Sequence, residues 1–222
     1  MSARSLPRYT GGLSAVLAAA LTVLLPACGG TPSITEVRAQ GNGTEATIEG
    51  FVSVSPGAFQ SALGDEGFAV QDSSGGLYVK MAEKQTFGLG AKVRVTGILD
   101  EQNQLRILKA EPAGVKLLGG TEQVSAKTVG TGAVNESVEG QLIQVSGNIT
   151  QTFQDDSPYG YKLYINDGTG EVQVFVHVSG GFDKAALQAL SAGQRITVVG
   201  LAAQYETTYE VAPRQPSDLT VQ

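Results

Sequence analysis

The chain has 222 residues, with 15 Lys and Arg against 21 Asp and Glu, a formal charge of -6 and a sequence pI near 4.8. An acidic surface repels polyanions at long range, so nucleic acid and anionic lipid headgroups start at an electrostatic disadvantage as partners. One cysteine, Cys28, and one histidine, His177, leave no material for an internal disulfide or a His/Cys metal cluster.

At the N-terminus, Arg4 and Arg8 precede an apolar run from Leu13 to Leu25, which has the length of a signal-peptide core and is too short to span a bilayer. The run ends in Leu25-Pro26-Ala27-Cys28-Gly29. This string resembles the bacterial lipobox, with Pro26 a departure from its usual small residues, and the resemblance implies cleavage before Cys28 and lipid attachment to it. Two or more acyl chains give stable anchoring where one does not. Residues 1–27 are therefore expected to be a lipoprotein signal peptide and residues 28–33 a lipidated, flexible tether. Loss of Arg4 and Arg8 lowers the formal charge of -6 by two, to -8. Gly29 after Cys28, in place of aspartate, points to the outer membrane if the cell has one.

The rest of the chain repeats. Thr47-Ile48-Glu49-Gly50-Phe51-Val52 is matched by Gln144-Val145-Ser146-Gly147-Asn148-Ile149, each an alternating strand holding one glycine. Gln71-Asp72-Ser73-Ser74-Gly75 through Val79 is matched by Asn166-Asp167-Gly168-Thr169-Gly170 through Val174, a turn between strands with Asp72 aligned on Asp167. The strand Gly90 to Gly97 is matched by Gly193 to Gly200, and Leu105 to Leu108 by Tyr209 to Val211. Two copies of one unit, 34–118 and 135–222, account for this order, with 119–134 as a linker or the opening strand of the second copy.

Short period-2 runs punctuated by Gly, Asn, Asp and Ser indicate an all-β fold. In the second copy, Asp183 to Leu190 reads as a short helix between the third and fourth strands, capped by Asp183 and stopped by Gly193. The matching slot, Ala82 to Phe87, has room for a turn alone. Strand-strand-strand-helix-strand-strand is the order of the five-stranded OB Greek-key barrel, and a glycine inside the first strand suits its bend. The expectation is thus two tandem OB-like barrels, preferred to an immunoglobulin-like sandwich on strand count and helix slot. The strings from Ile34 to Val37, Ile48 to Val52, Phe68 to Val79 and Gly90 to Gly97 resemble the OB-fold domains attached to secreted bacterial nucleases and other exported proteins. That resemblance implies a binding module and does not specify the ligand.

No catalytic residue, cofactor or metal is expected. His177 reads as a strand residue on a polar face, and Asp155-Asp156 and Asp167 with Glu171 read as turn carboxylates that bond local backbone, in preference to acid pairs or calcium ligands. An OB barrel binds on its second and third strands, using aromatics to stack and cations to hold phosphate. Split at Gly119 and Gly120, the first half of the mature chain has eight basic and ten acidic residues and the second five and eleven, so the first half is the better candidate for phosphate. Candidate ligand-binding residues are Phe68, Tyr78, Lys80, Lys84, Arg94 and Arg106, joined in the second half by Tyr161 and Tyr164. The expected function is a non-catalytic, membrane-anchored binding lipoprotein for single-stranded nucleic acid or oligosaccharide. The alternative is a cell-envelope structural or protein-interaction lipoprotein, with envelope proteins as partners.

Overall fold

A computed structural model describes Met1 and residues 30–222; the apolar run 13–25, read from the sequence as part of a signal peptide, and Cys28 lie outside the described residues. The fold starts earlier than the sequence suggests. Ser33, expected in the tether, caps a helix α1, Ile34–Arg38: its hydroxyl accepts from the Glu36 N–H while the Glu36 carboxylate accepts from the Ser33 N–H. Five residues cannot hold a helix alone. Burial of Ile34 and Val37 in the first core, and a hydrogen bond from the Ile34 N–H to Asp72 (2.9 Å), supply what is missing.

The strands β1 (Glu45–Val54), β2 (Phe68–Gln71), β3 (Gly76–Lys80), β4 (Ala91–Gln102) and β5 (Leu105–Lys109) pair in the order β1-β2-β3-β5-β4. β4 then returns to β1 in unbroken register from Glu45 opposite Ile98 to Phe51 opposite Lys92, which closes a five-stranded barrel. Gly50 permits the tight passage of β1 over β2, because a Cβ there would lie 2.5 Å from the Gln71 carbonyl oxygen. As expected, 82–87 forms no helix. A strand the sequence did not announce, β6 (Val115–Thr121), lies along Ala91–Val95 of β4 where β5 leaves that edge free. Its side chains are largely exposed, so it carries no apolar alternation to read.

A second sheet contains β7 (Lys127–Thr128), β8 (Leu142–Asp156), β9 (Gly160–Asn166), β10 (Glu171–His177), β11 (Arg195–Tyr205), β12 (Thr208–Ala212) and β13 (Leu219–Val221). Its order is β13-β11-β12-β10-β9-β8-β7, and β8 is also hydrogen-bonded to β11 from Leu142 to Asn148. The helix α2, Lys184–Gln188, stands in the expected slot, with the Asp183 side chain accepting from the Ala185 N–H. β13 is to β11 what β6 is to β4. The segment 119–134 is accordingly divided, its start in the first sheet and β7 in the second.

Asp155 bonds local backbone as the sequence suggests, accepting from the Ser157 N–H, whereas Asp156 pairs with Lys162 and Glu171 accepts from the Thr150 and Gln151 side chains. Asp72 accepts from the N–H groups of Ser74 and Gly75, and Asp167 from that of Thr169. Each also pins the segment that enters its own sheet, Asp72 through Ile34 and Asp167 through Thr131.

Residues 31–222 are one compact unit, and the seam between the two sheets is tightly made. Each sheet has its own apolar core, and a third cluster joins Val54, Phe59, Ala69, Tyr78, Leu105 and Ile107 to Leu201, Ala203 and Ala212. Beside it, backbone meets backbone: a Cβ on Gly76 would lie 2.0 Å from the Gly140 carbonyl oxygen. Polar bonds flank the contact, with Arg38 donating to Glu139 (3.0 Å) and Arg214 to the Ser53 carbonyl (2.8 Å).

Candidate functional site

Most of the expected ligand-binding residues turn out to serve the fold. Phe68 faces the first core and meets the Phe87 ring edge-on at 4.9 Å, so it cannot stack on a ligand. Tyr78 does point out of the barrel, but into the seam; its hydroxyl donates to the Phe59 carbonyl and to Asp65, both at 2.9 Å. Burial, reinforced by Asp65, pushes that phenol well above its usual pKa. Arg106 is likewise buried, its guanidinium bonded to the Asn42 side chain and the Gln40 carbonyl. Arg94 pairs with Glu49 across β1 and β4, Lys80 donates to Gln102 (2.6 Å), and Lys84 stands exposed on the loop after β3.

Tyr161 and Tyr164 lie on opposite faces of β9. Tyr161 packs towards the second core beside Phe153, with the Lys184 ammonium 5.4 Å from its ring. Tyr164 lines a cleft of about 760 Å³ between the two sheets, and of the eight ligand-binding candidates it is the one that does. The expected face of the first barrel is therefore covered, and the open face belongs to the second sheet.

The cleft is built on β9, β10 and β12, whose outward side chains meet Phe59, residues 60–63 and the β4–β5 turn from the first half. Gln173 of β10 sits opposite Tyr164 of β9 and Glu210 of β12. The Tyr164 hydroxyl donates to the Gln173 carbonyl oxygen (2.8 Å), and the Gln173 amide donates to the Glu210 carboxylate (2.7 Å). Gln173, His177 and Glu210 are 6%, 7% and 5% exposed, so three polar side chains sit deep in the cleft wall.

Burial dominates the electrostatics here. It pushes the Glu210 carboxyl up to about 7, against the opposing influence of the Gln173 hydrogen bond and the Lys162 charge. It holds the His177 imidazole down at about 4. His177 shares the outward face of β10 with Gln173, as the sequence placed it, but that face is covered: its ring stands edge-on to Phe59 and Phe175, with centroids at 4.7 and 4.8 Å. Lys162 is tied to Asp156 (2.9 Å) and lies 5.8 Å above the Phe175 ring. At the rim, Tyr159 and Tyr205 are half exposed.

Sequence reasoning missed Gln173, Glu210, Phe59 and Tyr205, and it did not foresee the burial of His177. A signal was present for the first two. Alternation in Val172-Gln173-Val174-Phe175-Val176-His177 puts Gln173, Phe175 and His177 on one face. The internal repeat sets Tyr164, Gln173 and Glu210 against Ala69, Tyr78 and Ile107 of the first copy, since Tyr78 is paired with both Ala69 and Ile107.

No protein-family model matches the chain, and no curated protein matches it. Among solved structures, it is similar to the p202 HIN1 domain in complex with a 12-mer dsDNA, at 11% identity and a TM-score of 0.41, over 83% of this chain and 97% of that one. The Ifi202 HINa domain in complex with 20bp dsDNA matches at 13% identity and a TM-score of 0.39, over 80% and 95% of the two chains. A murine DNA binding protein bound with dsDNA matches at 13% identity and 0.39, over 79% and 94%. The strand pairings above, and not these low scores, define the fold.

Proposed function

We propose that this protein is an exported, lipid-anchored, non-catalytic binding protein, made of two tandem OB-type barrels whose shared cleft holds a stretch of oligosaccharide. Repetition of the pairing order, with β8 on β11 as β1 on β4, supports the two-barrel reading. The lipobox-like string ending at Cys28 supports the anchor.

The observation that carries the ligand reading is the cleft's lining. Gln173, Glu210 and Tyr164 form a fixed hydrogen-bonding row, and aromatic rings stand along the walls and rim. Ligand sites combine apolar walls with a few convergent polar groups, and planar amides and carboxyls beside aromatic faces suit the alternating hydroxyls and C–H faces of a sugar. Nucleic acid fits less well. Phosphate binding needs available cations, and Lys162, the cation that lines the cleft, is already neutralised by Asp156.

The test is calorimetric titration of the mature chain with Cys28→Ser against a panel of tetrasaccharides, with a single-stranded DNA 12-mer run at low and physiological salt. Saturable glycan binding, weakened about tenfold or more by Tyr205→Ala, is the expected result. Salt-sensitive DNA binding with no glycan binding would overturn it.

A further inference from the structure

We infer that the sugar chain held in this cleft bears a free, protonated amine, which Glu210 receives as its counter-ion. The inference rests on the oligosaccharide reading and adds the ligand's charge.

Comparison with the other deeply buried carboxyls makes the case. Glu139 is met by Arg38 and by the Arg106 N–H, and Asp218 takes two bonds from the Arg214 guanidinium and one from its N–H. Asp65 accepts from the Tyr78 and Ser61 hydroxyls and from the N–H groups of Ser61, Gly67 and Met81. Glu210 has the Gln173 amide alone, with no salt bridge among the described residues, and it borders the cleft. A buried carboxylate with one neutral donor is costly, and a carboxyl in that state stays protonated or finds a cation.

Among the described residues no cation forms a salt bridge with Glu210, and the pull of the Lys162 charge is offset by Asp156. Lys162 on β9 is held by Asp156 at the end of β8, and His177 on β10 is kept neutral by burial. Glu206, on the turn after β11, adds another negative charge to the rim. The cleft thus presents Asp156, Glu206 and Glu210 against Lys162. If the ligand offered hydroxyls alone, a glutamine at 210 would serve as well without burying an acid. An ammonium group explains the carboxyl: it donates to Glu210, the buried acid that no cation of the described residues bridges.

Two ligands separate the possibilities: a β-linked glucosamine tetramer, and the same tetramer fully N-acetylated. They are titrated into the mature chain with Cys28→Ser at pH 5.5, where the free amine and the Glu210 carboxyl both carry their protons, in two buffers of different ionisation enthalpy. The amine form is expected to bind at least tenfold tighter and to release a proton as Glu210 ionises; the acetylated form is expected to release none. In Glu210→Gln, whose folding is checked by thermal unfolding, the preference disappears and the acetylated form still binds. Equal affinities without proton release, or a preference that survives Glu210→Gln, would overturn the inference and leave the glycan reading in place. Failure of both tetramers to bind removes both. A tetralysine peptide binding as tightly as the glucosamine tetramer would reassign the amine to a peptide and overturn the sugar part. Because proton release is read on the unsubstituted site, the test stands even if Glu210→Gln misfolds.

Discussion

The two halves of this protein place different residues at the same three positions. On the outer face of the first barrel stand Ala69, Tyr78 and Ile107, side by side on β2, β3 and β5; on the second sheet, β9, β10 and β12 put Tyr164, Gln173 and Glu210 there. The first set packs against Leu201, Ala203 and Ala212, while the second lines a cleft. The repeat supplies two such faces, and here the one on the barrel has become the wall that frames the one on the second sheet. Apolar side chains are used where water is excluded by protein, and hydrogen-bonding ones where a ligand can replace water.

The largest expected effect tests whether the first face is truly structural. Tyr78→Ala removes a fully buried ring and two hydrogen bonds, and should cost about 3–5 kcal/mol in urea unfolding. Gln173→Ala, at the matched position, should cost about 1 kcal/mol. Similar losses at both would erase the contrast. Next comes the seam: Gly76→Ala drives a methyl into the Gly140 carbonyl and should destabilise by about 1–3 kcal/mol, with broadening of cleft-residue signals in NMR spectra.

A third prediction concerns pH. The carboxyl of Glu210 is raised from 4.5 to about 7, so the folded state holds its proton longer than the unfolded one, and stability falls as pH rises between those values. The imidazole of His177 is lowered from 6.5 to about 4, so the unfolded state takes the proton first, and stability is lost as pH falls through that window. The two slopes oppose each other from pH 4.5 to 6.5. Glu210→Gln should unmask the histidine: stability then climbs from pH 4 to 6.5 and stays flat to pH 7, where the unsubstituted protein declines. Urea midpoints across that range decide it. The smallest stability change is at the rim, where Tyr205→Ala should shift unfolding by less than about 0.5 kcal/mol while weakening glycan binding.

Much of the fold could be read from residues. Glycine-bounded alternation located the strands, Asp183 and Gly193 bracketed α2, and the repeat gave the order of pairing. The capping box of Ser33 and Glu36 was equally readable, yet its neighbours Gly29 and Gly30 suggested a tether. β6 gave no signal because a strand with two wet faces has no period to show. The site was harder for one reason. Alternation tells an inward side chain from an outward one, and Tyr78 does point out of its barrel; nothing in a single strand says that a second sheet covers it. Phe68 is the reverse case, an inward residue chosen because it is aromatic.

The meeting of Gly76 with Gly140 has a consequence for how such a site changes over time. Where side chains separate two bodies, every substitution alters their spacing, and a binding groove drifts in shape whenever its composition does. Here, beside the apolar cluster, one point of the seam is gauged by main chain, which is common to all sequences. Neither glycine lines the cleft, so the residues facing it can exchange one chemistry for another without disturbing that contact.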